Sequence, residues 1–248
     1  MLSSLSEIHV AKSLSDLIWP HGLVEATDVW RPRGFLDPKE PELCDTDEFL
    51  PPEVCDQMPS WWLAITRGAR TPVWDIAAIC TIPGYDRKGV LLVEAKAHSE
   101  ELSKGGKQPG VEANHERIGD AIQEANSSLN GVLAGWNLTR DSHYQLSNRF
   151  AWAWKLSQLG IPVVLVYLGF LNAKEMEDQG EPFVDARQWR DCLIDHAQGI
   201  VPERAWESRL LTGQAPLIPL IRSVDLSFSV ALPDTELLSL GSCPTGRA

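Results

Sequence analysis

Three charged side chains stand in stretches otherwise built to be buried. Asp75 falls in TPVWDIAAIC, and Glu94 and Lys96 close the run GVLLVEAK. A charge inside an apolar strand is costly unless it is paired or bound to a metal. Two carboxylates on neighbouring strands offer the hard oxygen ligands that Mg²⁺ prefers. An ammonium beside them can orient a water and offset negative charge on a phosphate. The same three residues can also form a structural ion pair with no metal, so residue type alone leaves both chemistries open.

The elements that must position them follow from periodicity. Side chains alternate along a strand, so Glu94 and Lys96 share a face with Val90 and Leu92, while Leu91, Val93, Ala95 and Ala97 face the other way. Pro83, Gly84, Asp86 and Gly89 are turn formers and mark a hairpin connection. A hairpin centred near Tyr85 and Asp86 puts Ile82 opposite Gly89 and Asp75 opposite Lys96. Asp75 is then diagonal to Glu94, roughly 7–8 Å away at the backbone and within reach of one shared ion.

Asp75 followed by Glu94-Ala95-Lys96 resembles the PD-(D/E)xK nuclease superfamily, the restriction-endonuclease-like fold. The separation, the apolar run before the ExK element and the small residue between Glu94 and Lys96 fit that pattern. The departure is Trp74, not proline, before Asp75; the proline stands at Pro72. The resemblance covers about residues 1–170. It implies a three-layer α/β/α core with a central mixed sheet of four to five strands and leaves 171–248 unexplained; that part reads as a C-terminal α+β extension packed on the core, one compact domain overall. The resemblance implies a metal-dependent phosphodiester hydrolase acting on DNA or RNA, with DNA ahead of RNA. Asp75, Glu94 and the Ala95 carbonyl would bind Mg²⁺, for which Mn²⁺ can substitute. Lysine is a poor general base at neutral pH, so Lys96 is assigned positioning and electrostatic stabilisation before proton transfer. A homodimer is allowed, since nucleases that cut both strands often pair. The alternative is a non-catalytic member of the same fold that binds nucleic acid or protein.

The net charge of −12 argues against a strong polyanion binder, because phosphate contacts need Lys and Arg. Its distribution softens that objection. Residues 1–60 carry 4 basic and 12 acidic side chains, whereas residues 61–170 carry 11 and 10. Five scattered cysteines favour reduced thiols and a cytoplasmic protein. The N-terminus lacks the pattern of a signal peptide, and no apolar run is long enough for a bilayer. No histidine spacing, CxxC pair, GxSxG elbow or dinucleotide fingerprint offers another chemistry.

Around the hairpin, residues 3–19 read as an amphipathic helix that Ser3 or Ser4 can cap. Glu7 lies on its inward face, either as part of a capping box or, by the resemblance, as a candidate third acidic ligand. Residues 20–59 are rich in proline and acids and read as a long irregular insertion with one helical turn. SWWLAIT (60–66) reads as a first strand. Arg67 and Arg70 in the next turn, with Lys104 and Lys107 in the polar loop after His98, are candidate phosphate contacts. Residues 112–134 and 147–159 read as helices. Arg149 and Lys155 lie on the second of these; either could reach phosphate, with a surface role as the default. PVVLVYLG (162–169) reads as a buried central strand beside the ExK strand. Residues 186–196 and 203–211 read as helices, and 217–230 as one or two strands.

Overall fold

The computed structural model describes residues 2–228 apart from 35, 36, 47 and 109. The side chains of Ser3 and Ser4 and the segment 229–248 lie outside the described residues. The chain runs α1 (Leu2–Ile18), β1 (Trp30–Arg31), α2 (Pro52–Cys55), α3 (Met58–Trp62), β2 (Ile76–Cys80), β3 (Gly89–Lys96), α4 (Glu112–Val132), α5 (Tyr144–Gln158), β4 (Val163–Leu171), α6 (Ala186–Ala197), β5 (Leu210–Leu211) and β6 (Pro216–Asp225).

The strands make one mixed six-stranded sheet in the order β1-β2-β3-β4-β6-β5. Strands β1, β2 and β3 pair antiparallel, and β3–β4 and β4–β6 pair in parallel. The sheet exceeds the expected four to five strands because β6 and β5, from the C-terminal part, join it beside β4. Residues in β4 are buried almost throughout, as a parallel strand covered on both faces must be. Alternation along β3 sends Leu91 and Val93 to one face, where they pack with Ala11, Leu14 and Ile18 of α1. Val90 and Leu92 face the other way, onto Ile118 and Ile122 of α4, Phe150 of α5 and Trp189 of α6. Burying each such side chain contributes about 1.5–3 kcal/mol relative to exposure. Glu94 and Lys96 therefore end the face covered by α4 and α5. No helix among the described residues is long and apolar enough to cross a membrane.

Three sequence expectations are corrected. SWWLAIT is not the first strand. Met58–Trp62 is a short helix that begins around Pro59 and sets Trp61 and Trp62 against Trp152, with ring centroids 6.4 and 5.9 Å apart. The edge position beside β2 goes to Trp30–Arg31 instead. The insertion over 20–59 is less irregular than its composition suggests: it supplies β1 and α2 and buries Leu43, Phe49, Leu50 and Val54. Residues 203–211 hold only a single 3-10 turn, Glu203–Ala205, followed by β5. Trp206 is drawn into the core against Phe150 and Tyr167, each 5.5 Å away, and Glu207 takes a left-handed φ of 63° that ends any helix.

One packing constraint fixes the seat of α6. A Cβ on Gly169 of β4 would lie 2.5 Å from the Trp189 ring, so only a bare backbone lets the indole approach. Gly169→Ala is expected to lose about 1–3 kcal/mol by overpacking. The shift should appear as a lower urea midpoint with an unchanged m-value.

Candidate active site

The hairpin brings the first acid to the second by a register different from the sequence sketch. Cys80 pairs with Gly89 and Ile76 with Val93, so Asp75, one residue before Ile76, comes opposite Glu94 rather than Lys96. The ladder ends at the Cys80–Gly89 pair, and beyond it Thr81 pairs with Leu23 on the other edge of the strand, exchanging both backbone hydrogen bonds at 2.9 and 2.8 Å. The slip is two residues along the partner strand, so every side chain keeps its face, as a one-residue slip would not have allowed.

Each carboxylate is tightly held. Asp75 accepts a hydrogen bond through Oδ2 from the Ala95 N–H at 2.6 Å. Glu94 is 1% exposed, and its two oxygens are divided between two cations. Lys96 Nζ lies 2.5 Å from Oε1 and Arg149 Nε lies 2.5 Å from Oε2. Arg149 also donates to the Val73 carbonyl at 2.8 Å and to Asn148 Oδ1 at 3.1 Å, and its guanidinium stands 4.5 Å from the Trp74 ring centre. Arg149 thus ties α5 to Glu94 and to the strand that carries Asp75.

The electrostatics of the two acids diverge. Burial, reinforced by the charge of Glu94, pushes the Asp75 carboxyl up to about 6, against the pull of the Ala95 N–H, Lys96 and Arg149. Burial alone would raise Glu94 too, but Arg149 and Lys96 together hold it below the ordinary carboxylate value. One carboxylate is therefore fixed as an anion while its neighbour carries an unrelieved charge near neutral pH. A divalent cation between them would relieve that repulsion.

These residues form the floor of an open cleft of about 930 Å³. The segment from Gly68 to Val73 lines it, as do Glu101, Ser103, Gly105–Gln108 and Val111, together with Tyr144, Gln145 and Asn148 of α5. Glu42, itself buried, braces the Gly68–Val73 segment by accepting from Arg70 Nε at 3.0 Å and from the Thr71 backbone and hydroxyl. Of the proposed phosphate contacts, Arg70 and Lys107 line the cleft. Arg67 and Lys104 are exposed and do not line it. Glu7 is also exposed, on the helix that packs against the opposite sheet face, and it does not line the cleft.

Arg149 is the residue sequence reading placed wrongly, as a surface side chain. Its signal was spacing: it follows Leu146 by three positions and precedes Ala153 by four and Leu156 by seven, on the buried stripe of α5. Among the described residues, no group of three or more His, Cys, Asp or Glu side chains could hold a metal. The candidate ligands are Asp75, main-chain oxygen and Glu94, whose two oxygens would have to exchange a bond to Lys96 or Arg149 for one to the ion. That sparse, all-oxygen set suits Mg²⁺ or Mn²⁺, since Mg²⁺ often takes one or two carboxylates and keeps several waters. Comparison with protein-family models, curated proteins and solved structures gives no match to this chain.

Proposed function

We propose that the protein is a metal-dependent nuclease of the PD-(D/E)xK type, acting on nucleic acid, with DNA ahead of RNA. One observation carries this reading. Asp75 faces Glu94 across β2 and β3, and Lys96 stands on the same face at the floor of a cleft that Arg70 and Lys107 also line. Setting aside the two short helices α2 and α3 between β1 and β2, the order of a helix, three antiparallel strands, two helices and a parallel strand is consistent with the restriction-endonuclease-like core.

In this reading Asp75, Glu94 and the Ala95 carbonyl would hold Mg²⁺. A bound divalent ion supplies charge stabilisation at the phosphate and lowers the pKa of a coordinated water. The protein's own groups do the rest. Lys96, recessed beside Glu94, presents its ammonium to the incoming phosphate and offsets charge that grows on the equatorial oxygens. Arg149 keeps Glu94 ionised and oriented, and its bond to the Val73 carbonyl fixes the strand leading into Asp75. Arg70 and Lys107, which both line the cleft, can hold flanking phosphates.

The test is incubation with single- and double-stranded DNA and RNA in Mg²⁺, Mn²⁺ or EDTA, with Lys96→Ala and Asp75→Asn in parallel. Cleavage is expected only with metal, and each substitution is expected to lower it about 100-fold or more, as loss of an electrostatic stabiliser does. Metal-dependent cleavage that persists in both variants would overturn the site assignment. A second reading, a non-catalytic binding module, is favoured by the double pairing of Glu94, which leaves neither oxygen without a cation. It predicts no cleavage of any substrate and no heat of Mn²⁺ binding in calorimetry.

A further inference from the structure

We propose, resting on the nuclease reading above, that the cleft takes a flexible single strand of nucleic acid and not an intact duplex. The first support is depth. Glu94, Lys96 and Arg149 are 1%, 7% and 7% exposed, so a phosphate must descend into the cleft to meet them. A duplex is a stiff rod with a persistence length of about 150 bp, and lowering one of its phosphates into a recess requires bending or unpairing. A single strand pays no such cost.

The second support is the character of the walls. Tyr144 lines the cleft with the Lys107 ammonium 6.0 Å from its ring centre, and the exposed Val111 adds apolar surface to the same cleft. Gln145 offers an amide from the same helix turn. An aromatic ring joined to a cation is how proteins hold unpaired bases and the backbone between them, whereas the bases of a duplex keep their faces stacked away from such a wall.

The third support is the small electrostatic footprint. Four cations line the cleft, but Lys96 and Arg149 already pair with Glu94, and Arg70 is bonded to Glu42. Glu40 and Glu101 line the same cleft, and the chain as a whole carries −12. This arrangement suits two or three phosphates, not the run along a duplex that many specific binders neutralise. For a single strand the slope of log affinity against log salt should then be about −2, where six to ten duplex contacts would give about −5 to −9.

DNA and RNA strands share this chemistry, so the experiment uses both. The Asp75→Asn variant in Mg²⁺ is titrated by fluorescence anisotropy with strands of about a dozen nucleotides, within the footprint of a single-strand site. The same DNA strand annealed to its complement is the comparison, and wild-type turnover is followed on all three. Both strands, or one of them, should bind and be cut about tenfold or more better than the duplex, which is what opening even one base-pair step costs. Equal or better binding of the duplex, or a single-strand salt slope near −5, would overturn the proposal. If the wild type cuts nothing, the nuclease reading falls. The binding comparison still decides the occupant of the cleft, for strand preference upholds it and duplex preference rejects it.

Discussion

Arg149→Met should cost the folded protein about 3–5 kcal/mol at pH 8, the loss seen when one partner of a buried ion pair is removed. Methionine fills much of the same volume but leaves Glu94 Oε2 without its cation, in a position 1% exposed. The Val73 carbonyl loses its donor as well. The pH dependence carries a sign that packing loss would not. In the wild type, Glu94 is held below its ordinary value, so its contribution is present above the unfolded pKa and fades as pH falls through the folded one. Without Arg149, burial dominates and the carboxyl rises. The gap between wild type and variant should therefore be widest above neutral pH and shrink on acidification toward pH 4, where Glu94 can take a proton. Guanidinium melts at pH 8, 6 and 4 measure it. A gap that is small, or flat with pH, would show that Arg149 serves only as packing. In a double-mutant cycle Glu94→Gln should recover much of the loss, because it removes the stranded charge.

The parts of the fold that sequence made legible are those whose periodicity reports burial directly. PVVLVYLG could hardly be anything but a covered strand, and the 3.6-residue repeat of Ile118, Ile122, Ala125 and Leu129 placed α4 to within a few residues. Glu94 and Lys96 were legible as partners because a two-residue spacing on a strand fixes their common face. What failed was decided by tertiary contact. SWWLAIT has strand composition, yet its tryptophans gain more against Trp152 and Trp154 from a helical turn. The hairpin register was not legible because the turn formers and the alternation of faces allow pairings two residues apart, and the ladder closes on Cys80–Gly89. Arg149 was hidden because an arginine on a helix is solvated by default, and only the position of β3 beneath α5 supplies the anion that buries it. Glu7 failed conversely, since its helix presents the right stripe but lies on the other face of the sheet.

Asp75→Asn should lower cleavage about 100-fold or more and, in EDTA at pH 8, make the protein more stable by roughly 1–3 kcal/mol, since each unit of a raised pKa corresponds to about 1.4 kcal/mol. The two effects together separate a functional site from a structural ion network. The Asp75 carboxyl is pushed up to about 6, first by burial and then by Glu94. Its folded form binds a proton more tightly than the unfolded chain, so ionisation opposes folding. Stability contributed by this group is complete below about pH 4, declines as pH rises toward 6, and stays low above that. Asparagine carries no charge, and its side-chain oxygen can still accept from the Ala95 N–H. The variant and wild type should thus unfold alike near pH 4 and diverge between pH 4 and 6, with the variant ahead at alkaline pH. Saturating Mn²⁺ should narrow or reverse the gap, because a cation bound only to the folded wild type stabilises it by mass action. If Asp75 instead served as the counter-ion of Lys96 and Arg149, its removal would destabilise the fold at pH 8 and metal would change nothing. Thermal melts of both proteins across pH 4–8, with EDTA and with Mn²⁺, distinguish these outcomes before any substrate is chosen.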